Sequence, residues 1–393
     1  MKKLYLILSF AILPAVTLSA QDIYAPVLQQ VEQGSSRLAA LRDVMEAERL
    51  SYRTGLAPAD PVVDGGYLFG SPSTIGVRKD LSIRQELDFP TVYMQRSKLA
   101  EVKSAGAGYQ YAQERMDLML EAKRLCIDLI YHNALSRQYE EQKERAERIA
   151  ESYRRKLESG EANRLEFNKA SLTLSQVRQK CTRVIAEREA LLTELRRLTG
   201  NQALEFTADT YPAVILPADF ETWLGEASSK YPALQYLRNE VEAASREVSL
   251  AKASALPKLS VGYMGEFVVG QTFQGVTFGI SIPLWENRGR VRYADAVRSA
   301  SERVADDAAQ AYTSRLRMLF SQVGTMQAAL AEYEGTLAES RNNDLLYKAF
   351  ERGEIPLLDY LLEQEYWQEA YGEKLQAERD LHLHLAELEA FKL

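Results

Sequence analysis

Two stretches of the chain carry apolar residues every third or fourth position for far longer than a globular helix does. Neither Gly nor Pro occurs from Tyr109 to Ser159, nor from Glu161 to Thr199. In the first stretch, Leu118, Ala122, Leu125, Leu129, His132, Ser136, Tyr139, Lys143, Ala146, Ala150, Tyr153 and Leu157 fall on one line. In the second, Phe167, Ala170, Leu174, Val177, Cys181, Val184, Arg188, Leu191, Leu195 and Leu198 do the same. A repeat of about 3.5 residues predicts helices that supercoil and interlock knobs into holes. A helix from about Thr91 to Ser159 is on the order of 100 Å long. That is a rod, not a core element. Gly160 ends it and folds the chain back, as a glycine just past a helix end does.

The same unit occurs twice. Lys156–Phe167 and Ala349–Tyr360 match at an offset of 193 residues, aligning a Gly, a Glu, a Leu, an acid and an aromatic residue. The offset persists to Glu194/Glu387 and Leu195/Leu388, and Pro61 is mirrored by Pro257 at an offset of 196. Gly353 therefore turns the second hairpin, and Pro356 suits the first turn of its returning helix. Each unit reads helix, strand, strand, long helix, tight turn, long helix. The expected division is 1–20 as a leader, 21–205 as the first repeat, 206–217 as a linker and 218–393 as the second repeat.

The strands alternate with period two. In Leu259–Val269 the apolar set is Leu259, Val261, Tyr263, Phe267 and Val269, against Ser260, Gly262, Met264 and Glu266, which are small or polar apart from Met264. Val276–Leu284 alternates Val276, Phe278, Ile280, Ile282 and Leu284 with Thr277, Gly279, Ser281 and Pro283. Val77–Phe89 sets Val77, Leu81, Ile83, Leu87 and Phe89 against six charged or polar residues, and Val62–Phe69 is a weaker strand. Turns are expected at 70–76 and 270–275. Such segments fit a half-buried antiparallel sheet or a membrane barrel with a polar lumen. Rods too long for a compact domain favour the barrel, and Tyr67 and Tyr263 are candidates for its interfacial belt. Four strands cannot close a barrel, since the smallest have about eight. Open edges do not survive in lipid. Several copies must therefore share one barrel.

Composition narrows this further. Charged residues make up 26% and apolar residues 46% of the 393, which excludes a disordered chain and a helical membrane protein. A net charge of −7, without a basic block, argues against nucleic acid as a partner. Lys2 and Lys3, the apolar run Leu4–Val16 and the small residues up to Ala20 read as a secretory signal peptide cut before Gln21. No Cys follows that cut, so no lipid anchor is expected, and the chain ends at Leu393 with its last helix. No later apolar run reaches the roughly 20 residues a spanning helix needs. Cys126 lies about 34 positions before the first turn and Cys181 about 21 after it. They are thus offset by roughly 20 Å along the rod, too far for a disulfide, and both read as seam residues.

No catalytic constellation emerges. There is no Gly-rich phosphate loop, nucleophile elbow or metal cluster, so no cofactor, metal or enzymatic activity is expected. His382 and His384 face different sides of a helix and cannot clamp one ion. His384 and His132 fall on seams and read as packing residues. The Glu/Arg alternation over Gln138–Arg155 reads as a solvated helix face.

Pro232–Glu247, Ala255–Gly262 and the run Gly279-Ile-Ser-Ile-Pro-Leu284-Trp-Glu-Asn-Arg-Gly289-Arg resemble the second repeat of TolC-type outer-membrane efflux proteins. The motifs at Gly160 and Gly353 look like that family's periplasmic tips. The resemblance extends from about Tyr24 to Leu393. It implies a homotrimer with a 12-stranded β-barrel in outer-membrane lipid and a helical tunnel across the periplasm. A periplasmic adaptor (a membrane fusion protein) and an inner-membrane pump are the implied partners. It implies adaptor docking at tips containing Gly160, Glu161, Gly353 and Glu354. It also implies a pore constriction ringed by Asp359, with Glu166 on another tip-acid position. The family's second acid is Leu362 here, beside Glu363, and its tip arginine is Ile355. The function so implied is a passive exit duct of a tripartite efflux or type I secretion system. The alternatives are a periplasmic coiled-coil adaptor or scaffold, which usually has one hairpin rather than two, and an exported enzyme, which the missing catalytic groups disfavour.

Overall fold

The computed structural model describes residues 23–285, 287–339 and 343–393. The expected leader lies outside them. The chain is mainly helical, with one four-stranded sheet at an end of the helical rods. In order, the first half contains α1 (Ala25–Gly34), α2 (Ser36–Tyr52), β1 (Val62–Phe69), β2 (Val77–Leu87), α3 (Pro90–Ser159) and α4 (Arg164–Leu198). The second half contains α5 (Phe220–Lys230), α6 (Pro232–Ala253), β3 (Lys258–Val268), β4 (Gln271–Ser281), α7 (Arg290–Glu339), α8 (Asn343–Glu351) and α9 (Leu357–Leu388). The opening helix of each half is broken in two, where the sequence predicts a single helix. Ser35 ends α1 and caps α2, its Oγ accepting from Leu38 N at 3.4 Å. Tyr231 and Pro232 make the corresponding break between α5 and α6.

α3 has 70 residues, about 105 Å at 1.5 Å per residue. Its ends explain its length. Pro90 sits in the first turn, where a missing N–H costs nothing. Gly160, at φ 79°, takes the left-handed conformation that closes the far end. There Glu161 N donates to Lys156 O at 2.8 Å and Gly160 N to Leu157 O at 3.2 Å, a Schellman pair. The second tip repeats it 193 residues later: Glu354 N donates to Ala349 O at 2.9 Å and Gly353 N to Phe350 O at 3.0 Å. Pro356 is the N-cap of α9 rather than a first-turn residue.

α3 packs on α4 along the tip half and on α2 and α6 toward the sheet, while α7 packs on α6 and α9. The predicted α3–α4 seam is present: Ala122, Leu129, Ala146, Ala150 and Tyr153 are buried against a partner line of Ala170, Val177, Cys181, Val184, Leu195 and Leu198. Cys126 and Cys181 are both buried and not joined in a disulfide, and Cys181 Sγ lies 3.3 Å from Tyr139 O, the residue its register selects. Near the middle of α3, Met119, Leu120, Ile127 and Ile130 are buried as well, because α1, α4 and α9 surround it there. There is no single core. Apolar clusters are strung along the rod, from one joining α6 and α7 beneath the sheet to one at the tips.

One close contact locks the first half, and a strap ties the two halves together. Gly34 and Gly200 cross with almost no space between them. A Cβ at Gly34 would lie 2.3 Å from Thr199 O, and one at Gly200 would lie 2.2 Å from Gly34 O. The connection between the halves is strapped to the rods. Asn133 Nδ2 donates to Ala208 O at 2.8 Å, Tyr211 Oη to Ile127 O at 2.9 Å and Gln327 Nε2 to Val214 O at 3.1 Å.

Candidate functional site: a one-sided sheet and two helical tips

The sheet runs β1-β2-β3-β4, antiparallel throughout, and both outer strands have a free edge among the described residues. Its register sorts the side chains. Val63 faces Ile83, Ile83 faces Tyr263, and Tyr263 faces Val276; Leu87, Leu259 and Ile280 form a second such row, and Gln85, Val261 and Phe278 a third. These residues share one face. The other face carries Asp64, Arg78, Asp80, Arg84, Glu86 and Glu266, with Gly262, Gly279 and Thr277. On it Arg78 Nε lies 2.8 Å from Asp80 Oδ1 and 3.0 Å from Glu266 Oε1.

In a soluble sheet the apolar face is the covered one. Here it is open: Phe278 is 82% exposed and Val276 and Ile280 are each 64% exposed. No helix of the described residues is long and apolar enough to cross a membrane. Eleven residues at about 3.3 Å each, tilted by about 45°, span roughly 25 Å, the height of a barrel's apolar band.

The hairpins point away from the helices. Gly270, at φ 79°, leaves a two-residue turn between Val268 and Gln271, which pair directly. β4 therefore starts at Gln271 rather than Val276, and Ile282 and Leu284 lie beyond its end. The first hairpin turns over 70–76, as its sequence predicts. Tyr67 stands near this end, edge-on to Phe69 at 5.1 Å and beneath the Lys79 ammonium at 5.5 Å. Tyr263 sits five residues from each end of β3, which removes it from a belt position.

The opposite pole is formed by the two tips, which an aromatic ladder joins. Tyr153 of α3 stacks on Phe350 of α8 at 6.4 Å, and Phe350 on Tyr360 of α9 at 4.6 Å. Burial pushes the Tyr360 phenol up to about 12, so it stays neutral. Ile355 packs into the same cluster. The sequence reading missed this ladder, whose only signal was the aromatic pair Tyr347 and Phe350 one helical turn apart. Gly160, Glu161, Gly353 and Glu354 are all exposed at the turns.

The two tip acids differ. Glu166 closes a capping box: its carboxylate accepts from Asn163 N at 3.0 Å, and Asn163 Oδ1 accepts from Glu166 N at 2.9 Å. Asp359 stands in the first turn of α9, exposed, while Leu357 and Tyr360 turn inward. Exposed Leu362 and Glu363 follow it on the same side. The histidines do not converge on an ion. His382 is buried and stacks on Tyr211, whereas His384 is half-buried with Nδ1 2.7 Å from Asp380 O. The buried histidine is thus His382, not the seam residue His384. Among the described residues no group of three or more His, Cys, Asp or Glu could hold a metal.

No family model and no curated protein matches the sequence. Solved structures do match the fold. The Campylobacter jejuni CmeC outer membrane channel is 15% identical, with 94% of this chain and 85% of that one covered at a TM-score of 0.74. The open state of the Neisseria gonorrhoeae MtrE outer membrane channel is 14% identical, covering 94% and 88% at 0.74. The Vibrio cholerae outer membrane protein VceC is 13% identical, covering 94% of each chain at 0.70.

Proposed function

From a fold shared along nearly its whole length with outer-membrane channels of the TolC type, we propose that this protein is itself an outer-membrane channel. In this reading it is the passive exit duct of a tripartite efflux or type I secretion machine. The observation that carries the proposal is the one-sided sheet: an apolar face open to its surroundings, a charged reverse face and two unpaired edges, at the end of a rod about 100 Å long. Lipid is the surrounding that suits such a face, and a polar lumen suits its reverse. An even number of antiparallel strands lets β4 of one copy pair with β1 of the next without breaking the alternation. Three copies would close twelve strands and abolish every edge.

The helices then form the periplasmic tunnel. The leader at 1–20, the repeats at 21–205 and 218–393 and the linker at 206–217 belong to this proposal. The tips carrying Gly160, Glu161, Gly353 and Glu354 are the proposed docking points for an adaptor, beyond which an inner-membrane pump would select and drive the cargo. Asp359, with an unengaged carboxylate on an exposed helix start, is the better candidate to ring the pore. Glu166 would add to that ring only through the oxygen its own cap leaves free. No step of this function calls for a catalytic group. A periplasmic adaptor or scaffold is the second reading, but nothing among the described residues covers the apolar face it would leave in water.

The test is the location and mass of the native particle. Inner and outer membranes are separated, and the protein is extracted in mild detergent and weighed. A trimer from the outer-membrane fraction is expected. A monomer in the periplasmic fraction would overturn the channel reading.

A further inference from the structure

Beneath β4 the chain makes a compact basic turn. Arg288, Arg290 and Arg292 are exposed, three arginines in five residues, with Glu286 two residues before them and Asp295 three after in the sequence. Two large aromatic residues bracket them, Trp285 at 77% exposure and Tyr293 at 72%. The backbone is fixed: Arg288 N donates to Trp285 O at 3.1 Å, Arg290 N to Asn287 O at 3.2 Å and Tyr293 N to Gly289 O at 2.8 Å. Asn287 Nδ2 donates to Ser254 O at 2.7 Å and staples the turn to the end of α6. Val291 and Ala294 pack toward α6, so helical geometry puts Arg292 and Tyr293 on the side away from it.

None of the three arginines has an acidic partner among the described residues. The next acids along α7, Asp295 and Glu302, are both engaged by Arg298, at 3.1 and 2.6 Å. The duplicated unit supplies an internal comparison. At the matching foot of the first hairpin, Arg96 pairs with Asp88 at 2.8 Å and lies over the Tyr93 ring at 5.8 Å. There Arg96 has its acid within the chain, whereas the three arginines of the second foot have none among the described residues.

We propose that Arg288, Arg290 and Arg292, with Trp285 and Tyr293, form a binding site for the phosphate headgroup of an anionic phospholipid in the periplasmic leaflet. The inference rests on the channel reading, which puts the apolar face of β4 in lipid and this turn at the headgroup level directly below it. Guanidinium groups match phosphate oxygens in a bidentate manner. Exposed Trp and Tyr suit the boundary between tails and headgroups. Each arginine near an anionic surface contributes about a fivefold preference at low salt.

The test uses the full chain in mild detergent, mixed with micelles carrying phosphatidylglycerol or phosphatidylcholine, with retained lipid counted by native mass spectrometry. The wild type should retain phosphatidylglycerol at least about tenfold over phosphatidylcholine, less so as salt rises. The triple variant R288Q/R290Q/R292Q should lose the preference. The corresponding triple lysine variant should keep most of it, and Arg96→Gln should leave it unchanged. Equal retention of both lipids by the wild type would overturn the proposal. So would an undiminished preference in the glutamine variant, or loss of oligomeric mass in that variant with the lipid preference intact, which would assign the arginines to contact between copies. If the glutamine variant does not assemble, the lysine variant decides, because a charge-driven site must survive that exchange in part. A chain that never enters membranes would sink the channel reading; one that resides in the outer membrane without lipid preference would sink only this inference.

Discussion

At the scale of single residues, His382 shows how burial sets chemistry in this molecule. Its ring stacks on Tyr211 at 4.4 Å, and burial together with the nearby Lys123 ammonium pulls its pKa from 6.5 to about 4. The folded state therefore holds it neutral, while the unfolded chain takes up a proton near 6.5. Stability from this group is complete above about 6.5 and is lost as pH falls toward 4, by up to about 3 kcal/mol. The apparent melting temperature, followed from neutral pH downward, should fall over that window. His382→Phe should flatten this part of the profile, and an unchanged slope would show that His382 does not govern it. The sequence predicted a buried histidine here but selected His384. A single seam defines one buried line. At the end of α9, however, α3, α5, α7 and the strap around Tyr211 enclose the helix more widely, and Leu381, His382 and Ala386 turn inward together. Seam arithmetic works where two helices meet and fails where four do.

At the scale of elements, the sheet separates what alternation reveals from what it hides. β2 and β3 were legible because most of their apolar positions stay on one face, Met264 and Val268 of β3 being the exceptions. β4 was recognised only from Val276 onward. Nearer its hairpin, Thr272 and Gln274 occupy the apolar face and Phe273 the other, so the alternation inverts. Such an inversion is expected where a strand leaves the apolar band and neither face needs to be oily. The two faces should answer a charge differently. Val276→Arg, at mid-strand on the apolar face, should cost about 2–4 kcal/mol per copy in lipid, whereas Thr277→Arg on the charged face should cost less than about 1 kcal/mol. Refolding into phospholipid vesicles under graded denaturant measures both. Equal costs would mean that the two faces do not have lipid and lumen as their surroundings.

At the scale of the whole molecule, the rods, their turns and their duplication could be read directly from spacing, since a long uninterrupted period has few alternative structures. What joins the rods could not. The strap over 206–217 acts through backbone carbonyls, and the ladder Tyr153–Phe350–Tyr360 brings together residues about 200 positions apart. Neither leaves a periodic trace. The tip acids were placed by resemblance, and the structure distinguishes them: Glu166 serves its own helix, while Asp359 is unengaged. On the proposed channel reading, Asp359→Asn should reduce the ratio of cation to anion permeability severalfold, and Glu166→Gln should change it less. Single-channel recordings in planar bilayers under a salt gradient would check this. An unchanged ratio in the Asp359 variant would place the constriction elsewhere.

The two hairpins end side by side at the far edge of the sheet. One turn is two residues long and the other spans 70–76, and the two nestle together, so that a Cβ at Gly76 would lie 2.6 Å from Val269 Cγ2. On the proposed channel reading, this rim is the part of the described residues that would face the outside. An antibody or a phage would find a low, nearly featureless collar instead of a crown of loops. The long rods and tips, where most of the distinctive surface lies, would stay hidden from both.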